Sequence, residues 1–519
     1  MANGNSQQQQ AWTPSFNPWL IAAAVMLATF MEVLDTSVAN VALPHIAGNL
    51  SASTEEATWV LTSYLIANAI VLPATGWLTT VFGRKKFLIV CIIIFTVASA
   101  LCGAATNINL LIIARILQGA GGGALQPIAQ SVLLESFPPE KRGSAMALYG
   151  LGVVVAPIIG PTLGGWITDN YSWRWIFYIN LPIGILAAFM ANMFVEDPPY
   201  LKNQKPGRID YIGFGLMALG LAALELTLDL GQQRDWFSSS TIVFTTVVAV
   251  ASLVSFVVWE LSTPEPIVNL RVFLNRNFAV GTALIASVGV VLYGSTALLP
   301  LFLQTVLGYP AVESGLAVSP RGLGSVVSML IVGRLVGKID GRYLIAFGFL
   351  VLAFSTNIFT GITLEIAQSN IIYPMIISGF AMGFVFVPLT TMAMGTLSNE
   401  QIGNASGIYN LMRNFGGSIG IAAMTTFLAR GAQTHQAALA PNLNEYNPAF
   451  QEMVARIQAN IGGSVEQAYG VIYGMLVKQA AVLSYIDNFR LLALLCLICA
   501  PAAFLFKKVK NAKPPPGAH

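Results

Sequence analysis

The sequence predicts an all-α integral membrane protein that crosses the bilayer about fourteen times. Two observations carry this. Of 519 residues, 55% are hydrophobic and 9% charged, with a mean hydropathy of +0.69; a surface facing water needs about 25% charged residues. The apolar residues also gather into runs near the ~20 residues that a helix rising about 1.5 Å per residue needs to cross the hydrocarbon core. Open strands are excluded, because lipid cannot satisfy their edges.

Taken in order, the first six expected spans are 18–43, 58–80, 87–106, 109–134, 144–167 and 176–195. A pair follows at 209–229 and 241–261, then six more at 278–307, 315–336, 343–363, 371–396, 404–429 and 488–507. An even count puts both termini on one side. Loop charges test this independently. One side collects Arg84, Lys85, Lys86, Lys141, Arg142, Lys202, Lys205, Arg208, Arg271, Arg276, Arg334, Lys338, Arg342, Lys507, Lys508, Lys510 and Lys513. The other holds Arg174, Arg234, Arg430, Arg456, Lys478 and Arg490. About seventeen against six is the positive-inside bias, and it places the termini in the cytoplasm.

The net charge of +3 is mild and no basic stripe with interleaved aromatics occurs, so no nucleic-acid role is expected. Cys91, Cys102, Cys496 and Cys499 fall in apolar runs and read as small buried hydrophobes; the Cys496–Cys499 spacing lacks a second pair or nearby histidines. His45, His435 and His519 are too dispersed for a metal site. The polar start, through Gln7–Gln10, reads as a short tail rather than a signal peptide. Residues 431–487 stand out as a long loop on the non-cytoplasmic side, with a helix-like run from Phe450 to Leu483. It reads either as a helix on the surface or as a docking element for a partner.

An internal repeat lays Gly119–Tyr149 over Gly379–Tyr409. Gly119 falls on Gly379, Gly123 on Gly383, Glu140 on Glu400, Gly143 on Gly403, Ala145 on Ala405 and Tyr149 on Tyr409. Two similar halves around an inserted pair is a transporter plan, with the substrate site near the midplane between them.

Ionisable groups inside spans cost about 2.5–3.5 kcal/mol on insertion scales and mark functional sites. Span one carries Glu32, Asp35, Thr36 and Asn40 on one helical face. An acid kept from bulk water there is a candidate proton carrier; the bland alternative is a hydrogen-bonded structural carboxylate. Span four carries Arg115, Gln118 and Gln126. Arg115 and Asp35 count to similar depths, about 9 and 12 Å from the outer end, and are expected to communicate. Arg321 and Arg413 lie in or near spans of the second half, while Glu225, Asp229 and Glu260 read as interfacial. In span five, Gly152, Ala156, Gly160 and Gly164 form a ridge of small residues, and Pro157 and Pro161 each remove a helix hydrogen bond. That suits a kinked, close-packed seam in a rocking bundle, or a static packing ridge.

At these residues the chain resembles the major facilitator superfamily, in its fourteen-span drug:proton antiporter branch, and there the EmrB-type multidrug exporters. Gly76 to Lys86, with Gly83, Arg84 and Lys85, is similar to the loop motif between spans two and three, although Thr80 stands where that motif usually has aspartate. Leu34 to Pro44 resembles the span-one motif, and Leu111 to Gly121, with Arg115 and Gln118, the span-four motif linked to proton transfer. Gly152 to Gly165 resembles the antiporter motif of exporters.

The resemblance implies a major facilitator fold of two six-helix bundles plus two inserted helices. Its parts are a cytoplasmic tail 1–17, an N-terminal bundle 18–195, an inserted pair with linkers 196–277, a C-terminal bundle 278–507 with the periplasmic loop 431–487, and a tail 508–519. It further implies export of hydrophobic drugs or toxins across a bacterial inner membrane. The partners would be a periplasmic membrane-fusion adaptor of the EmrA type and an outer-membrane channel of the TolC type. No cofactor is expected, only the proton gradient, since no GxxxxGK[ST] segment for ATP occurs. Asp35, Glu32 and Arg115 are the expected proton-coupling residues. Tyr64, Asn68, Gln118, Tyr293, Tyr409, Asn410 and Arg413 are candidates for the substrate cavity, lined by spans one, two, four, five, nine and thirteen. An uptake symporter or a passive channel for a small hydrophobic solute remain alternatives; a membrane enzyme lacks a clustered nucleophile, base or metal.

Overall fold

A computed structural model of the chain describes residues 14–199 and 210–507. The polar start through residue 13 and the expected loop and tail cations Lys202, Lys205, Arg208, Lys508, Lys510 and Lys513 lie outside the described residues. The described residues form helices and short connections, with no strand among them.

The first half comprises α1 (Pro18–Asn49), α2 (Thr54–Phe82), α3 (Arg84–Ala104), α4 (Ile108–Gly122), α5 (Leu125–Ser136), α6 (Arg142–Asn170), α7 (Trp175–Tyr178) and α8 (Asn180–Phe194). The inserted pair is α9 (Tyr211–Gly231) and α10 (Ser240–Ser262). The second half comprises α11 (Arg276–Thr305), α12 (Ala311–Val318), α13 (Pro320–Leu335), α14 (Gly341–Ile358), α15 (Ser369–Met394), α16 (Asn399–Leu439), α17 (Pro448–Ile461) and α18 (Val465–Ala502). Span four is thus a broken helix, α4 then α5, because Pro127 cannot donate to the turn before it. Pro320 does the same between α12 and α13.

Among the described residues, thirteen helices are long and apolar enough to cross a membrane. The expected thirteenth span falls in α16, which is not one of them, because Asn404, Asn410, Arg413 and Asn414 dilute its apolar character. It packs inside the bundle all the same, against α2, α5, α11 and α18. The last span also differs from expectation. Residues 431–487 are not a long loop: α16 runs on to Leu439, α17 follows, and α18 begins at Val465. At 41 and 38 residues, α16 and α18 span roughly 60 Å each, about twice the hydrocarbon core. Their overhangs are joined by His435 Nε2 to Asp487 Oδ2 at 2.7 Å, and α17 seats Val454 on Ala468 and Ile472 of α18. The expected run from Phe450 to Leu483 breaks at Gly462, whose φ of +62° ends α17.

The halves meet along α6 against α12 and α13, and along α2 and α5 against α16. The inserted pair closes one flank. Asp229 of α9 accepts from Thr62 of α2, Glu225 accepts from Ser418 of α16 at 2.8 Å, and Trp236 donates to Thr426 at 3.0 Å. Glu225 is therefore buried between helices. Glu260 is also buried, accepting from the Val268 amide at 3.3 Å, instead of reaching water.

The small-residue ridge of α6 faces α1. A Cβ on Gly152 would strike Met26, one on Gly160 would strike Ser37, and one on Gly164 would lie 3.0 Å from Val38. Because Pro161 has no N–H, the Pro157 carbonyl is left without its helix partner, and Ser37 Oγ donates to it at 3.0 Å. The helix bend and the ridge are one device. Gly160→Val should cost about 1–3 kcal/mol by overpacking, lowering the unfolding temperature of purified protein, with transport lost as well.

Candidate functional site: two carboxylates in the first span

Asp35 and Glu32 are three residues apart, about 60° around α1, and that angle sends them to different neighbours. Asp35 turns into the first half. Its Oδ2 accepts from Arg115 Nη1 at 2.6 Å, and its Oδ1 from Gln118 Nε2 at 2.9 Å and Asn180 Nδ2 at 2.6 Å. Arg115 also donates to Gln118 Oε1 at 2.7 Å and from Nε to the Val60 carbonyl at 3.0 Å. All four side chains are buried. The expected communication between Asp35 and Arg115 is a direct ion pair. Gln118, expected at the cavity wall, instead orients this pair.

Glu32 turns toward the seam between halves. Its Oε1 accepts from Tyr64 Oη at 3.0 Å and Asn68 Nδ2 at 3.1 Å, and its Oε2 from Gln126 Nε2 at 2.6 Å. Every donor is neutral. Gln126 in turn accepts on Oε1 from Arg413 Nη2 of the second half. Glu32 and Arg413 are therefore held across the seam by one amide. Beside it Asn410 Nδ2 donates to Gln130 Oε1 at 2.7 Å and accepts on Oδ1 from Tyr149 Oη at 3.0 Å.

Tyr64 joins the two clusters. Its ring lies under the Arg115 guanidinium, 4.1 Å from centroid to Cζ, while its hydroxyl donates to Glu32. Among the expected cavity residues, Tyr64, Asn68, Asn410 and Arg413 meet in this network, and Tyr293 packs on Gly417 one turn from Arg413. Tyr409 does not reach it directly; its hydroxyl bonds Thr390 of α15 at 3.2 Å. Sequence reading missed Asn180, Gln130 and the seam role of Gln126. Gln126 carried a signal, a polar residue beside Pro127 inside an apolar run.

The loop after α2 is built on Gly83, whose φ of +80° suits glycine. Asp197 caps the start of α3 there, accepting from the Lys85 amide at 2.8 Å. Arg84 makes a two-pronged pair with Glu135, both bonds 2.9 Å, while Thr80 only bonds back to the Trp77 carbonyl. The carboxylates that meet this loop are therefore Glu135 and Asp197. A Cβ on Gly76 would lie 2.7 Å from the Asn404 backbone, so this loop touches the second half. A cavity of about 220 Å³ opens beside it, lined by Trp77, Arg84, Asn269, Glu400 and Asn404 among others.

The family model described as Major Facilitator Superfamily matches residues 25–421. The chain belongs to the Major Facilitator Superfamily. It is 39% identical to the multidrug export protein EmrB of Escherichia coli (strain K12), over 96% of each chain. The fatty acid resistance protein FarB of Neisseria gonorrhoeae is 38% identical over 95% of this chain and 96% of its own. Among solved structures, the human organic anion transporter MFSD10 (TETRAN) superposes with a TM-score of 0.58 at 12% identity, covering 93% of this chain and all of its own. Superfamily membership makes the chain a multi-pass membrane transporter, and the Glu32–Gln126–Arg413 bridge lies between the two halves of that fold. Among the described residues no group of histidine, cysteine and acidic side chains is placed to hold a metal.

Proposed function

We propose that the chain exports hydrophobic toxic compounds, drugs among them, across a bacterial inner membrane in exchange for protons. The observation that carries this is Glu32, a carboxylate held by neutral donors on the first half and tied through Gln126 to Arg413 on the second. An ionised Glu32 holds the halves together at the midplane. A proton arriving from the far side removes that charge, weakens the tether, and lets the halves rock about the α6 and α16 seams. Substrate entering the seam competes for the same space and favours release of the proton to the cytoplasm. The Asp35–Arg115 pair keeps its charges and positions Tyr64, so proton binding is reported to it through that ring and hydroxyl.

Relatives named for multidrug export and fatty acid resistance support a broad hydrophobic substrate range. The excess of loop lysine and arginine on one face supports cytoplasmic termini. The overhangs of α16 and α18 with α17 then stand in the periplasm, where they would meet a membrane-fusion adaptor leading to an outer-membrane channel. Everted vesicles test the direction and the driving force. The expected result is drug accumulation that requires an inside-acid gradient and collapses with a protonophore. Accumulation indifferent to the gradient would mean a passive channel, and uptake only in right-side-out vesicles a symporter.

A further inference from the structure

Among the described residues four arginines are buried, and three have partners: Arg84 pairs with Glu135, Arg115 with Asp35, and Arg413 reaches Glu32 through Gln126. Arg321, 1% exposed, is the fourth. Its Nη1 donates to Ser295 Oγ at 3.2 Å and Thr296 Oγ1 at 3.1 Å, both on α11. Nε and Nη2 have no acceptor, and among the described residues no carboxylate pairs with this side chain. A guanidinium offers its donors in one plane, and the edge from Nε to Nη2 is one that takes both oxygens of a carboxylate. That edge is the one left open here. A buried charge is kept only when something pairs with it.

The position of Arg321 points to the translocation path. Gly379 packs its α-carbon on the Arg321 carbonyl as Gly119 packs on the Tyr64 carbonyl. The internal repeat relates Gly119 to Gly379, so Arg321 holds in the second half the place Tyr64 holds in the first. Thr296 lies one turn along α11 from Tyr293, and both are half-buried on the same face. Beside Arg321, Gly322 meets Ile158 of α6 across the seam, with 3.7 Å to a Cβ.

We propose that Arg321 is an anion-binding subsite of the transport path, taking the carboxylate head of an amphipathic substrate whose apolar body lies along the seam. The inference rests on the export reading and narrows its substrate class to include amphipathic anions. A phospholipid phosphate shares the chemistry, so the test separates the two.

Full-length protein in neutral detergent is titrated calorimetrically with dodecanoate, methyl dodecanoate and tetraphenylphosphonium. Wild type should bind dodecanoate more tightly than its uncharged ester. Arg321→Gln should weaken dodecanoate binding by about tenfold to a hundredfold, the loss of a charge-assisted pair, and leave tetraphenylphosphonium within about twofold. Arg321→Lys should retain the preference for the acid over the ester. Phosphatidylglycerol that competes with dodecanoate in wild type but not in Arg321→Gln shows the fork also taking a lipid phosphate; no competition reserves it for substrate. Equal binding of acid and ester by wild type overturns the subsite, as does unchanged dodecanoate binding in Arg321→Gln. So does loss of both ionic probes in that variant at an unchanged unfolding temperature, which makes Arg321 a wall residue only. Wild type that binds tetraphenylphosphonium but not dodecanoate overturns this subsite alone; wild type that binds neither overturns the export reading with it.

Discussion

Glu32→Gln is expected to reduce gradient-driven drug accumulation in everted vesicles by roughly one to two orders of magnitude, the size of a site-to-site coupling free energy. The substitution keeps the side chain's shape. The Gln carbonyl can still accept from Gln126, and the Tyr64 hydroxyl can turn to accept from the new amide, which leaves the Asn68 amide as the one donor that loses its acceptor. What is lost is the group that takes up and releases a proton. Binding of drug to the purified variant should stay within about an order of magnitude of wild type, since the charge on Glu32 supplies only part of the coupling. Parallel vesicle uptake and equilibrium binding separate the two effects. Accumulation at wild-type levels would remove Glu32 from the coupling step.

Arg115→Ala is the second large effect, and it strikes stability first. It leaves the Asp35 carboxylate buried with only Gln118 and Asn180 as donors, and breaking a buried pair from one side costs about 3–5 kcal/mol. Against a net stability of about 5–15 kcal/mol, that is enough to deplete the folded protein. The expected outcome is a sharply lower unfolding temperature in detergent and little protein in the membrane. The Asp35→Asn/Arg115→Gln double variant should recover most of the loss, because removing both charges is cheaper than stranding one. Its transport should stay impaired, since the Tyr64 ring no longer lies under a cation. A double variant as unstable as the single one would mean that packing, not charge pairing, decides the effect.

Most of the architecture was legible because lipid imposes it. Apolar runs of membrane-spanning length mark thirteen of the helices among the described residues. The crossing that hydropathy marks least is α16, whose Asn410 and Arg413 serve the seam at the expense of lipid solubility. The helical stretches from Gly431 to Asp487 read as loop because polar and loop-forming residues such as Asn442, Asn444 and Asn447 interrupt them. At the site, the stripe on span one singled out Glu32 and Asp35 together. It could not say that a 60° turn divides them between a closed ion pair and the seam, because that depends on which helices pack on each side. Asn180 joins Asp35 from 145 positions away, and Glu135 pairs with Arg84 across 51. No spacing rule links residues that only tertiary packing brings together. The internal repeat was the most informative long-range signal, since Gly119 and Gly379 each pack closely on a backbone carbonyl of another helix in their own half.

Proton release on drug binding tests the central claim most directly. Purified protein in weakly buffered detergent solution with a pH indicator is mixed with tetraphenylphosphonium near neutral pH. Wild type is predicted to release protons, Asp35→Asn protein that folds to do so as well, and Glu32→Gln to bind the cation with no release. Proton release that persists in Glu32→Gln and disappears in Asp35→Asn would contradict the account and move the coupling proton to the ion pair.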